Sequence, residues 1–192
     1  LGLRKPDHFM NVNTASLGSA IGDIFKKTEE IINLEEPDAL LVLGDTNSCL
    51  SAYMAKRKHI PIFHMEAGNR SFDQRVPEEI NRKIVDHLSD INMPLSEQAR
   101  DYLISEGIRP ETIIKTGSSM LEVLNANMEK IKSSDILERE GLKVKTYIVM
   151  SIHREENVDS PKNFSDLLES IDELTKKYNM PIVISTHPRT KK

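Results

Sequence analysis

HMEAGNRSFDQRVPEEINR, residues 64–82, begins inside an apolar run, Ile60 to Met65, and then turns sharply polar. Glu66, Arg70, Asp73, Arg75, Glu78, Glu79 and Arg82 crowd into one short span, with Gly68 inside it and Pro77 opening a helix. The apolar run reads as a buried strand. A merely solvated charged face needs no Glu-Ala-Gly turn straight after such a strand. Charges that begin where a strand ends are where an α/β sheet places its ligand chemistry.

Outward from this stretch, short apolar runs alternate with helical spacing. Thr14 or Ser16 can cap a helix to about Leu34, with Leu17, Ile21, Ile24, Phe25, Ile31 and Ile32 at helical spacing. Residues 39–43 read as a strand buried on both faces, followed by Gly44-Asp-Thr46 and a helix to about Lys58. Residues 60–65 form the next strand. The helix opened by Pro77 sets Ile80, Ile84 and Leu88 on one face, which is expected to face the core.

A short strand is expected at 90–93, a helix from Ser96 to about Glu106 stopped by Gly107, and a strand and turn at 113–117. Helix is expected over 120–131, a short helix or loop over 133–141, strand over 146–152, helix over about 163–178 and strand over 181–185. Strands alternating with helices imply α/β architecture with parallel, doubly wound, Rossmann-like sheets. A change of domain is placed near Lys115, giving 1–114 and 115–192.

The chain has 192 residues and a formal net charge of -4, which offers no electrostatic reason to expect nucleic acid or an anionic membrane as partner. Its one cysteine, Cys49, excludes an internal disulfide and suits a reducing, cytoplasmic compartment. It has no apolar run of membrane-spanning length and no signal-peptide pattern. It starts at Leu1 and ends in Thr-Lys-Lys just after a strand-like run, which reads as a chain cut at both ends.

Four polar clusters directly follow four apolar runs, at Asp45, Glu66, His153 and His187. In a parallel sheet such strand ends share an edge, so Asp45, Glu66 and Glu78 can share a site. Crowded carboxylates disfavour one another's ionisation, and one of them then suits acid–base work. Glu78 and Arg82 are four residues apart, and the plain alternative for them is an exposed ion pair worth a few tenths of a kcal/mol. His153 heads His-Arg-Glu-Glu-Asn157, where Arg154 can hold a phosphate oxygen; the plain reading of a lone histidine is a strand-end cap. His187-Pro-Arg189 is a weaker version of the same pattern. No His or Cys pair has metal-ligand spacing, and no glycine-rich nicotinamide or ATP loop is present, so neither metal nor cofactor is expected.

These pieces together resemble the non-hydrolysing UDP-N-acetylglucosamine 2-epimerases. The resemblance runs through Gly44-Asp-Thr46, His64-Met-Glu-Ala-Gly68, Pro77-Glu-Glu-Ile-Asn-Arg82, Thr116-Gly117 and His153-Arg-Glu-Glu-Asn157 and covers nearly the whole chain. It implies two facing Rossmann-like domains of the glycosyltransferase-B type, here incomplete, with the loops that bind much of the nucleotide lying before Leu1 and after Lys192. It also implies C2 inversion of a UDP-N-acetylhexosamine by elimination and re-addition of UDP, in a full-length homodimer. By resemblance Asp45, Glu66, Glu78 and His153 are catalytic. Gly68, Arg70, Arg82 and Arg154 contact substrate or UDP, as do Glu156, Asn157, His187 and Arg189. The segment Asn69 to Val76 departs from the common family pattern. It is similar to the branch that forms UDP-N-acetyl-L-fucosamine from its L-talose C2 epimer, for capsule or O-antigen sugars. A glycosyltransferase of the same architecture and an inactive nucleotide-sugar-binding fragment are the alternatives.

Overall fold

The computed structural model describes residues 4–152 and 160–186. They divide into two compact units, one running to Leu121 and the other from Glu122. Ile114 N–H donates to Asn92 O (2.8 Å) and Thr116 N–H to Pro94 O (3.1 Å).

In the first unit, α1 (Leu17–Glu35) starts on an N-cap by Ser16, whose hydroxyl accepts from Ser19 N–H. It buries Ala20, Ile24, Thr28 and Ile32, one row at i, i+4 spacing, while Leu17 remains exposed. The strands β1 (Leu40–Leu43), β2 (Ile62–Met65) and β3 (Ile91–Met93) form one sheet in that order, all parallel. Leu43 pairs with Met65, and Met65 with Met93, so the three strands end level with one another. Ile113 adds a parallel bridge beside Asn92, and no further strand forms there.

A 3-10 turn (Asn47–Leu50) and α2 (Ser51–Arg57) join β1 to β2. α3 (Pro77–Leu88) joins β2 to β3, and α4 (Glu97–Ser105), capped by Ser96, follows β3. The main core gathers Ile32, Val42, Cys49, Leu50, Ala52, Ala55, Ile62 and Val85. Each large aliphatic side chain buried there contributes roughly 2 kcal/mol. A smaller core joins Ala67, Leu103 and Ile113.

Two expectations are corrected here. β1 is not buried on both faces: Val42 is buried, but Leu41 and Leu43 are 63% and 70% exposed. Leu41 and Leu43 alternate with Val42 along the strand and so lie on the opposite, exposed face. The Ile80/Ile84/Leu88 row of α3 is not its core face either. Ile80 and Ile84 are 47% and 42% exposed, whereas Glu79, Asn81, Val85 and Asp86 are buried. α3 turns a largely polar row inward because those side chains find bonding partners beneath it.

The second unit contains α5 (Met120–Ala126, which begins just inside the first), α6 (Met128–Lys132) and α7 (Ile136–Arg139). β4 (Ile148–Ile152), α8 (Pro161–Tyr178) and β5 (Ile182–Thr186) follow. β4 and β5 pair in parallel. None of its described residues is buried. Among the described residues no helix is long and apolar enough to cross a membrane.

Candidate active site

The site is built where β1 and β2 end. Gly44 N–H donates to Met65 O (3.2 Å) and Glu66 N–H to Met93 O (3.1 Å), so the turns carrying Asp45 and Glu66 leave the sheet side by side. Glu66 sits at φ 67°, in the left-handed region. For a residue with a Cβ this costs about 1–2 kcal/mol, and such strain gathers at functional sites. Gly68, at φ 76°, packs directly on α4: a Cβ there would press on the Ala99 carbonyl and lie 2.8 Å from Leu103 Cγ. Glycine is what lets the loop pass that close.

From α3, Arg82 reaches back over this edge. Its Nη2 pairs with the Asp45 carboxylate and lies 3.7 Å from Glu66 Oε1. Asn69 Nδ2 donates to the same Glu66 oxygen (3.4 Å), and Arg82 Nη1 donates to Asn69 O (3.5 Å). Asn81 Nδ2 donates to Asp45 O and to Asn47 Oδ1, both at 3.0 Å. Arg82 Nε is buried without a partner among the described residues. Glu78, at the start of α3, is exposed and makes no ion pair with Arg82. The simple i, i+4 pair is therefore replaced by an Arg82 bond to a carboxylate on another element.

The electrostatics follow from this crowding. Burial pushes the Asp45 carboxyl up, Arg82 pulls it down, and the Glu66 and Glu78 charges push it up again, leaving it above its ordinary range. The same burial, with Asp45 nearby, pushes the Cys49 thiol up to about 12. Cys49 therefore packs in the core and is no nucleophile.

Below the edge lies a buried polar network. His64 Nδ1 is 2.8 Å from Asp86 Oδ1, and its Nε2 is 3.1 Å from Gly44 O. Gly68 N–H donates to the Asp86 carboxylate at 3.2 and 3.3 Å. Arg70 Nη2 lies 2.8 Å from Asp86 Oδ2, while its Nε and Nη2 each donate to a Glu106 oxygen at 2.7 Å. The Arg70 side chain is thus fully buried within the protein's own carboxylates. Those carboxylates raise its pKa despite its burial. The adjoining loop is fastened by Glu79, which accepts from Ser71 N–H (2.8 Å) and pairs with Lys83 (3.0 Å). Burial pushes the Glu79 carboxyl up, but Ser71 and Lys83 together hold it below its ordinary range.

The structure thus brings Asp45, Glu66 and Arg82 together, with Glu78 near enough for its charge to act on Asp45. His153, Arg154, Glu156, Asn157, His187 and Arg189 lie outside the described residues. Sequence reasoning assigned no role to Asn69, Asn81, Asp86 or Glu106. The signal that bears on Asp86 is its register with Glu79 and Arg82 along the helix, which the isoleucines at 80 and 84 masked. Among the described residues no group of three His, Cys, Asp or Glu side chains is placed to hold a metal ion.

A parallel sheet with acidic and basic side chains gathered beyond its carboxyl edge defines a Rossmann-like ligand-binding domain. The chain belongs to the UDP-N-acetylglucosamine 2-epimerase family, whose model matches residues 1–192. A UDP-N-acetylglucosamine 2-epimerase of Methanococcus maripaludis is 35% identical over 196 residues, covering 100% of this chain and 54% of its own length. The solved UDP-N-acetylglucosamine 2-epimerase of Rickettsia bellii is 54% identical with a TM-score of 0.90, over 99% of this chain and 50% of that one. The Methanocaldococcus jannaschii enzyme, solved with UDP-GlcNAc and UDP, is 32% identical with a TM-score of 0.89, over 98% and 53%. The chain spans about half the length of the curated relatives it matches.

Proposed function

We propose that the full-length protein inverts C2 of a UDP-linked N-acetylhexosamine by eliminating UDP and adding it back. The observation that carries this reading is the placement of Asp45 and Glu66 around one guanidinium, Arg82, at the carboxyl edge of the sheet. In the forward step a base takes the C2 proton while the C1–O bond to UDP breaks, leaving a glycal. UDP then returns to C1 and a proton to the opposite face of C2. The sequence is redox-neutral, so its balance needs no external cofactor.

Glu66 is the base in this scheme, held in a fixed and strained turn beside Arg82. Asp45, with its carboxyl raised, is the group that can carry a proton nearer neutral pH. Glu78 is the third carboxylate, contributing its charge. The family pattern supports His153 and Arg154 as stabilisers of the leaving diphosphate, with Glu156, Asn157, His187 and Arg189 as substrate- or UDP-binding residues. The sugar in this reading is the N-acetyl-L-talosamine/N-acetyl-L-fucosamine pair, supported by the Asn69–Val76 segment, which begins on the residue bonded to Glu66. The protein is read as a cytoplasmic homodimer serving capsule or O-antigen sugar synthesis.

Incubating the full-length protein in heavy water with candidate UDP-sugars tests the reading by NMR at C2. Deuterium wash-in with inversion supports it. Transfer to an acceptor without exchange marks a glycosyltransferase, and binding without turnover marks a nucleotide-sugar-binding module.

A further inference from the structure

We infer that the buried His64–Asp86 pair positions the carboxylates of the site by fastening together the three segments that carry Asp45, Glu66 and Arg82; the inference rests on the epimerase reading above. His64 lies on the central strand of the first sheet, two residues before Glu66, and is fully buried with Asp86. One ring nitrogen faces the carbonyl of Gly44, the residue before Asp45. The other faces Asp86, on the same helix as Arg82, one turn further on. The Asp86 carboxylate in turn accepts from Gly68 N–H, two residues after Glu66. Each bond therefore ends on a group next to, or on the same element as, a member of the site.

Plain core packing does not account for this pattern. A buried polar pair costs desolvation that apolar side chains of the same volume do not incur. Here the pair's bonds end on backbone groups of two turns, and one of those turns holds Glu66 in a left-handed conformation. Arg70 anchors the far side, since it bonds Asp86 and also grips Glu106 with two donors. If Gly68 is released, Glu66 can relax to an extended conformation and carry its carboxylate away from Arg82. His64 and Asp86 touch no substrate in this account; they are positioning residues.

The test uses His64→Gln and His64→Asn in the full-length protein. The glutamine amide stands where Nε2 was, keeping the Gly44 bond and cutting the Asp86 bond. The asparagine amide stands where Nδ1 was and does the reverse. For His64→Gln, kcat for C2 exchange is expected to fall about 10²-fold, the scale of a misplacement near 1 Å, with KM changed less than about twofold. The Gly68 amide is expected to lose protection from hydrogen exchange while amides of α1 and β1 keep theirs. His64→Asn is expected to keep Gly68 protected. Wild-type kcat in His64→Gln with Gly68 still protected overturns the inference. So does loss of protection across α1 and β1 together with Gly68, which marks a role in the whole fold. A wild-type protein that exchanges no C2 hydrogen defeats the epimerase reading, and the Gly68 amide then decides the fastening alone.

Discussion

The Arg82 guanidinium, on the second turn of α3, closes an ion pair with Asp45, on the turn after β1. The two residues are far apart in the chain, and their pairing holds α3 over the edge of the sheet. It also opposes, without cancelling, the burial and neighbouring charges that raise the Asp45 carboxyl. Removing the cation leaves Asp45 and Glu66 without the ion-pair partner they share, with the Glu78 charge still nearby. Arg82→Met is therefore expected to destabilise the first unit at neutral pH by about 2 kcal/mol. Part of that loss is regained on acidification as Asp45 takes up a proton. Urea melts at neutral and mildly acidic pH measure both effects.

Asp45 has a pH signature of its own. Its folded value is raised above the ordinary 3.8, so between the two values the folded state holds more protons than the unfolded state. Its contribution to stability is complete below 3.8 and is lost as pH rises through the folded value. Wild-type stability relative to Asp45→Asn should accordingly decline with rising pH across that window. A difference that grows with pH contradicts the assignment.

Glu79 and Glu106 have the opposite sign. Arg70 above all holds the Glu106 carboxyl down, and Ser71 with Lys83 outweighs burial at Glu79. Their contributions are present above the ordinary 4.5 and vanish as pH falls through the lowered folded values. In the double variant Glu79→Gln, Glu106→Gln, acid denaturation should be shallower than in wild type, as followed by circular dichroism.

Gly68→Ala should cost roughly 3 kcal/mol, from a left-handed conformation and a Cβ pressed on α4. The obstructing atoms include the Ala99 carbonyl, which is backbone and cannot swing aside. Thermal denaturation reads the loss. Gly107→Ala is the control, since its left-handed φ of 89° meets open space.

Much of this was legible in the chain because an apolar run followed by a polar turn has one good explanation in α/β proteins. That pattern places strands at 39–43 and 60–65, with Asp45 and Glu66 at their carboxyl ends; the strands form at Leu40–Leu43 and Ile62–Met65. The inner face of α3 was not legible. Its isoleucines at 80 and 84 have helical core spacing, yet Glu79 and Asp86 are among the buried side chains because Ser71, Lys83, His64 and Arg70 satisfy them there. Lys83 is on α3 itself, but Ser71, His64 and Arg70 come from other segments, and local periodicity carries no trace of them. Leu41 and Leu43 misled for a related reason: an apolar run shows what can be buried, but what packs against each face of the sheet determines which side chains are covered.

The account's central claim is that Glu66 is the base acting at C2. Deuterium wash-in at C2, measured for the full-length protein and its Glu66→Gln variant in heavy water, tests it most directly. Glutamine keeps the size of the side chain but cannot take the proton. The account predicts a loss of roughly 10²–10⁴-fold in exchange rate with the fold intact. Exchange at the wild-type rate in Glu66→Gln contradicts it.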